Sequence, residues 1–299
     1  MKNILVLGGT GFVGRHLCRE LARLQWRATV PTRDASKARS MTSPPLLNVV
    51  QADVHDGAAL TRLVAGHDAV VNLVAILHGN LVQFERTHVE LVKKIAGACD
   101  DAGVARLVHV SALGAARDAP SMYQRSKAAG EAVLQRSALE WTALRPSVMF
   151  GEGDKFLTVF ARLQGIFPIM PLAGADTRFQ PVWVGDVVKA IAQCLLRDDT
   201  RMGTYEVCGP EVFTLRQLVE LAGSLSGHPR PVFALPDALG RLQALLMELA
   251  PGQPLMSRDN LDSMKVDNVA SGKLPGLDAL GISPSALGSV APTYIGIRS

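Results

Sequence analysis

The amino-acid sequence predicts an α/β fold, a doubly wound parallel sheet with a small C-terminal lobe. From residue 4 to about residue 145, short β-branched runs alternate with longer helical patterns, the order that builds a parallel sheet covered on both faces. A glycine-rich turn separates the first run from the first helix. After Gly151 the alternation loosens and Pro and Gly become frequent, as in Phe167-Pro168-Ile169-Met170-Pro171 and from Pro229 to Pro236, which predicts a lobe formed by insertions.

Strands are predicted at Ile4 to Leu7, Ala28 to Pro31, Asn48 to Gln51, Ala69 to Leu73, Leu107 to Val110 and Thr142 to Leu144. Helices fit between them at Val13 to Leu24, Ala58 to Val64, Phe84 to Ala102 and Ser126 to Ser137. Asp186 to Leu196 reads as a helix returning to the sheet, and Thr214 as the N-cap of another. The division is residues 1–150 for the core and 151–299 for a mixed region that returns elements to the core and forms the lobe. The tail beyond Gly272 is predicted to pack loosely.

A hydrophobic content of 48% with 19% charged residues over 299 residues is that of a folded chain with a large core. The 31 Lys and Arg against 27 Asp and Glu leave a net charge of only +4, with no dense basic run, which argues against nucleic acid as a partner. Cys18, Cys99, Cys194 and Cys208 form no Cys-x-x-Cys pair and read as reduced, buried thiols without a metal. The seven histidines lack ligand spacing and read as surface or satisfied structural residues. Ile4 to Leu7 is too short for a signal-peptide core, and no window reaches the roughly 18 apolar residues of a membrane span. A cytoplasmic location follows, with peripheral attachment at the inner face of a membrane left open.

Gly8-Gly9-Thr10-Gly11-Phe12-Val13-Gly14 follows an apolar strand and opens an amphipathic helix, the context in which such a motif binds a dinucleotide. Gly8 permits the tight turn, Gly11 lets backbone approach a pyrophosphate, and Gly14 lets helix and strand pack closely. The helix N-terminus offers N–H donors and a positive dipole end to phosphate. This is a Rossmann-type arrangement. At the end of the second strand, where an acid would hold the ribose 2′-hydroxyl of NAD, stand Thr32-Arg33. Arg33, with Arg15 from the first helical turn, can clamp a 2′-phosphate, favouring NADP(H) over NAD(H). The alternative is that both arginines are solvated and that Asp34 supplies the acid. Asp53-Val54 can meet the adenine or form an ordinary turn, and Asn72-Leu73-Val74-Ala75 ends the fourth strand beside the pyrophosphate or as plain buried strand.

The glycine turn together with Tyr123-Gln124-Arg125-Ser126-Lys127 resembles the short-chain dehydrogenase/reductase superfamily in its extended and atypical, epimerase/dehydratase-like branches. Leu144-Arg145-Pro146-Ser147 with Phe150-Gly151, Asp154-Lys155-Phe156, Gln180 to Val187, and Tyr205-Glu206-Val207 with Gly209-Pro210 agree, so the resemblance spans Lys2 to about Leu221. Gly-Phe-Val-Gly-Arg-His, Ser126 to Glu131 and Asp267-Asn268-Val269 are similar to the subgroup containing the nucleotide-binding accessory subunit of respiratory complex I. The resemblance implies tight NADP(H) binding, a link to quinone or respiratory metabolism and, in some members, little or no turnover. It implies cofactor contacts at Thr10, Phe12, Val13, Val54, Leu73, Val74, Ala75, Tyr123, Lys127, Pro146, Ser147 and Val148, beside the glycines, Arg15, Arg33 and Asp53.

Tyr123 and Lys127 stand one helical turn apart, so the ammonium can lie near ribose and phenol and lower the phenol pKa. Tyr123 then exchanges a proton with a substrate oxygen while hydride moves to or from the nicotinamide. Family enzymes carry a further Ser or Thr where this chain has Ala112 and Leu113. Ser111 is the provisional hydroxyl, its alternative being a strand-end serine bonded to backbone, and Ser121 is a weak substitute. Trp183, where many relatives have His, is predicted to pack the cleft wall rather than to contact charge. Phe156, Phe160, Phe167, Met170 and Leu172 offer an apolar carbonyl or quinone-like substrate few polar partners. Leu235 to Leu249 reads as lobe core, or as an amphipathic face for a membrane or partner protein. An oxidoreductase leads. A non-catalytic NADP(H)-binding accessory or assembly module of a membrane-associated complex competes, and sugar-nucleotide epimerase or dehydratase chemistry comes last because the lobe lacks an evident Arg and Asn set for a diphosphate sugar.

Overall fold

The computed structural model describes residues 1–34, 36, 46–249, 252 and 254–296. Seven parallel strands form the central sheet in the order Gly203–Val207, Glu140–Pro146, Arg106–Val110, Ala69–Asn72, Asn3–Leu7, Arg27–Thr32, Leu47–Gln51. The chain is Rossmann-like. Its first strand lies in the middle, and the order reverses between that strand and the fourth, the switch point at which such sheets bind ligands beyond their carboxyl ends.

Ile4 and Val6 point to one face and Leu5 and Leu7 to the other, the alternation that strand geometry imposes. The first face is covered by the helices Phe12–Arg23 and Val184–Leu196. Gly57–Val64, Leu91–Ala102 and Met122–Leu134 cover the second. All four cysteines are buried free thiols. The lobe has its own core, centred on Phe150, Leu157, Met170, Leu172, Leu215 and Leu218.

Three expectations change. The helix predicted at Ser126 starts at Met122, because the Ser121 side chain accepts from Gln124 N and caps it there. The helix predicted from Phe84 is Leu81–Glu85, a π turn at Arg86–Glu90 and then Leu91–Ala102. The tail is packed rather than loose: Leu277, Leu280 and Ile282 enter the main core, while Leu287, Ala291 and Ile295 enter the lobe core. Tyr294 donates to Asp154 Oδ2 at 2.7 Å, and Asp186 Oδ2 accepts from Ser285 N at 2.7 Å, so buried carboxylates tie the tail to two distant segments.

The π turn lets two helices touch. A Cβ on Gly130 would lie 2.2 Å from the His88 carbonyl oxygen, so only glycine permits this approach. Gly97, exposed in the interior of Leu91–Ala102, has nothing within 4 Å of a Cβ position. Gly130→Ala should therefore cost about 2 kcal/mol or more by overpacking, whereas Gly97→Ala should gain about 0.5–1 kcal/mol from helix propensity alone. Urea unfolding of the two variants checks the contrast, and equal effects would place the helix contact elsewhere.

Candidate active site

The glycine turn sits at the switch point. Gly8 adopts φ +80°, a conformation that favours glycine, and a Cβ there would press on the Leu73 and Val74 backbone at 3.1 Å. A Cβ on Gly14 would lie 2.4 Å from Gly9, which is what seats the first helix hard against the turn. Gly9, which the sequence reading did not single out, also packs where a Cβ would meet Val30 at 2.6 Å. Gly11 is the N-cap and has no side-chain cap, and the first turn holds no acid. The helix thus begins at Phe12 and Val13 with backbone donors that no side chain satisfies.

Around it, Arg15 is exposed and its Nε donates to Thr10 O at 3.1 Å. Arg33 is exposed just past the second strand. Asp34 Oδ1 accepts from Ser36 N at 2.9 Å and Ser36 Oγ at 2.6 Å, so this carboxylate is engaged in its own turn. Asp53 Oδ1 accepts from His55 N at 3.0 Å, as a turn carboxylate does, while Val54 packs on the core beneath. Burial lowers the His55 pKa, with the Asp53 carboxylate pulling the other way. Val74 N donates to Asn72 Oδ1, and Leu73, Val74 and Ala75 lead away at the sheet edge with Ala75 exposed.

Tyr123 and Lys127 share the Met122–Leu134 helix. Lys127 is buried and donates to Val110 O at 2.7 Å. Burial pushes its pKa down to about 8, with Glu131 pulling the other way. The phenol is not acidified as expected: burial raises Tyr123 to about 12, and its ring packs against Phe84 and His88 with centroids 6.2 and 5.6 Å away. Ser111 is not bonded to backbone through its side chain either. Its Oγ is buried and has no hydrogen-bond partner among the described residues. Ser121 is no substitute, because its hydroxyl caps the helix and donates to Gln124 Oε1.

Several anchors of this helix are not evident from the motif. Asp259, buried and 136 residues away, accepts from Met122 N at 2.6 Å and Tyr123 N at 3.0 Å. Arg145 grips Glu131 with two nitrogens at 2.9 and 2.5 Å, a bidentate geometry. His88 Nε2 accepts from Ile76 N, so its Nδ1 carries the proton and donates to Ser126 Oγ at 2.8 Å; Ser126 Oγ in turn donates to Tyr123 O. Burial, with the Lys127 charge second, lowers His88 to about 3 and keeps it neutral. Ser147, at the end of the sixth strand beyond Pro146, donates to Asn268 Oδ1 at 2.6 Å, and that oxygen also accepts from Val148 N.

Other expectations need correction. The histidines are not all satisfied: Asn72 donates to His109 Nδ1, which leaves the buried Nε2–H without a partner among the described residues. Trp183 does contact charge, with Lys189 Nζ 5.0 Å from its ring centroid. Met170 and Leu172 are buried in the lobe core, Phe156 and Phe160 pack against it, and Phe167 is exposed, so these residues build the lobe rather than line one open pocket. Among the described residues, no group of three or more His, Cys, Asp or Glu side chains is placed to hold a metal ion.

A glycine cradle that a Cβ would fill and an uncapped helix N-terminus at the switch point of the sheet fit a dinucleotide, and they define an NAD(P)-binding α/β protein. The profile described as NAD(P)H-binding matches residues 8–159, and the chain belongs to this family. It is 31% identical over 289 residues to the rat (Rattus norvegicus) mitochondrial NADH dehydrogenase [ubiquinone] 1 alpha subcomplex subunit 9, covering 94% of this chain and 76% of the relative. A ceramide reductase of Caulobacter vibrioides is 29% identical over 193 residues, 64% of this chain and 60% of that one. The dTDP-glucose 4,6-dehydratase of Streptomyces venezuelae shares the fold, with a TM-score of 0.76 at 22% identity over 98% of this chain and 95% of that one.

A buried lysine whose pKa is depressed destabilises the fold while charged. That penalty is fully present below about pH 8 and is lost as the pH rises toward 10.5, the ordinary value of the unfolded chain. Lys127→Met should therefore be more stable than the parent at pH 7 by up to about 3 kcal/mol, and the gap should close between about pH 8 and 10.5. Urea titrations across pH check this. A variant less stable at pH 7 would show that the bond to Val110 O outweighs desolvation.

Proposed function

We propose that the chain is an NADP(H)-dependent oxidoreductase of the atypical short-chain type, acting on an apolar carbonyl or quinone-like substrate in respiratory or quinone metabolism. Ser111 carries this reading. A buried hydroxyl left without a partner costs about 1–3 kcal/mol, and here it stands at the carboxyl end of the fifth strand, immediately after Val110, whose carbonyl receives the Lys127 ammonium. A substrate oxygen is the partner it lacks. The dinucleotide, when bound, supplies or accepts the hydride.

In reduction, Tyr123 donates its proton to the substrate oxygen as the carbonyl carbon becomes tetrahedral, and Ser111 donates a hydrogen bond to the same oxygen. Lys127, protonated below about pH 8, stabilises the phenolate left on Tyr123, whose burial otherwise disfavours that anion. Asp259 acts through the backbone, fixing the turn that carries Tyr123.

NADP(H) rather than NAD(H) is favoured because Arg33 is exposed just past the second strand and Asp34 Oδ1 is engaged by Ser36. The names of two relatives, a ceramide reductase and an NADH dehydrogenase [ubiquinone] subunit, support an apolar substrate and a peripheral place at a membrane. The replacement of the usual second hydroxyl by Ala112 and Leu113 favours a second reading, a non-catalytic NADP(H)-binding accessory module.

Incubating the protein with NADPH and a panel of quinones and ketones tests the first reading. Tyr123→Phe should lower turnover by about 10²-fold or more and leave NADPH affinity nearly unchanged. No NADPH oxidation with any member of the panel, alongside tight NADPH binding, would favour the accessory module. Separately, Arg33→Asp should weaken NADPH by roughly 10- to 100-fold while sparing NADH, measured by calorimetry; an unchanged preference would remove Arg33 from the site.

A further inference from the structure

We infer that the C-terminal lobe docks on an anionic lipid surface through a patch formed by the Leu157–Ile166 helix end, the strand Val232–Leu235 and the helix Asp237–Leu249. Ile166, Phe167 and Ile169 occupy five consecutive exposed positions with Gly165 and Pro168, and each of the three leaves half or more of its surface open. Phe233, equally exposed, pairs with Pro171 in the parallel ladder to Met170–Ala173. Residues opposite each other in a ladder project to one side, so Phe233, Pro171 and Ile169 share a face, while Met170 and Leu172 point into the lobe core.

The helix Asp237–Leu249 crosses that same face. A Cβ on Gly240 would meet Ala173 at 2.7 Å, and Gln243 Nε2 reaches Pro171 O. The helix therefore runs antiparallel to the strand. It buries Gly240 and Ala244. Leu239, Leu242, Leu246 and Leu249 follow at spacings of three, four and three on the opposite side, all exposed, the stripe of an amphipathic helix turned outward. Exposed apolar side chains gathered in this way on one lobe mark an interaction site.

Charge selects the occupant. Arg230 N and Nε bond to Gln164 Oε1 and O, Arg216 Nη1 donates to Val232 O, and Arg162 is exposed two residues before Gln164. None of these three arginines has a carboxylate partner among the described residues. On the helix Asp237–Leu249, Asp237 and Glu248 are already paired with Arg241 and Arg258. An apolar face beside unpaired arginines matches acyl chains beneath anionic headgroups. No helix among the described residues is long and apolar enough to cross a membrane, so the contact lies in the interface plane.

This names the partner in the membrane-side placement proposed above, and its test is separate from turnover. Sedimentation with vesicles of phosphatidylcholine, with and without phosphatidylglycerol, should show binding to the anionic vesicles that weakens with added salt. Phe233→Ser and Ile166→Ser should each lower the bound fraction severalfold, and Arg162→Glu should lower it about fivefold or more, with NADPH affinity unchanged as proof of folding. Absence of binding to either vesicle overturns the inference. So does a soluble dimer of the parent that Phe233→Ser splits, which would assign the patch to a second copy of the chain.

Discussion

The near-contact of Gly14 with Gly9 governs the cofactor side of the molecule. With no side chain between them, the first helix starts directly over the carboxyl edge of the sheet, and its unsatisfied donors face the gap where strand order reverses. The turn rests in turn on Leu73 and Val74 through Gly8. Close packing of glycines thus aligns the first-helix amides with the end of the fourth strand.

The side that carries Tyr123 and Lys127 follows a different logic, in which rigid supports hold groups that are individually unfavourable. Lys127 is charged and buried, the half-buried Tyr123 is held against its ionised form, and Ser111 Oγ and His109 Nε2 lack partners among the described residues. These costs are tolerated because Asp259, the Glu131 and Arg145 pair and the close passage of Gly130 past His88 fix the helix from three directions. Concentrating unmet polar groups where the surrounding structure leaves no freedom is how a fold keeps a site ready for a ligand.

The fold and the glycine turn were legible because both arise from local rules: alternation along strands, and a positive φ or a close approach that only glycine allows. Thr214 was legible as a cap for the same reason. What escaped depends on contacts between distant segments. Nothing near Asp259 in sequence indicates that it caps the Tyr123 helix, and the packing of the tail rests on Leu277, Leu280 and Ile282 meeting strands laid down long before. The π turn was hidden because its extra residue leaves the apolar pattern around Phe84 and Leu91 readable as one helix. The apolar lobe residues were read as a pocket because composition does not say which side of a strand faces in.

The reach of Asp259 across 136 residues bears on how the molecule is made. Synthesis delivers the Tyr123 helix long before the carboxylate that receives its first amides, and Asp154 likewise waits 140 residues for the Tyr294 hydroxyl. The glycine turn, at residues 8–14, precedes each of these anchors in the chain. The helix that carries Tyr123 and Lys127 receives Asp259 only once the C-terminal part has folded back, so the glycine turn is laid down long before that helix is fully anchored.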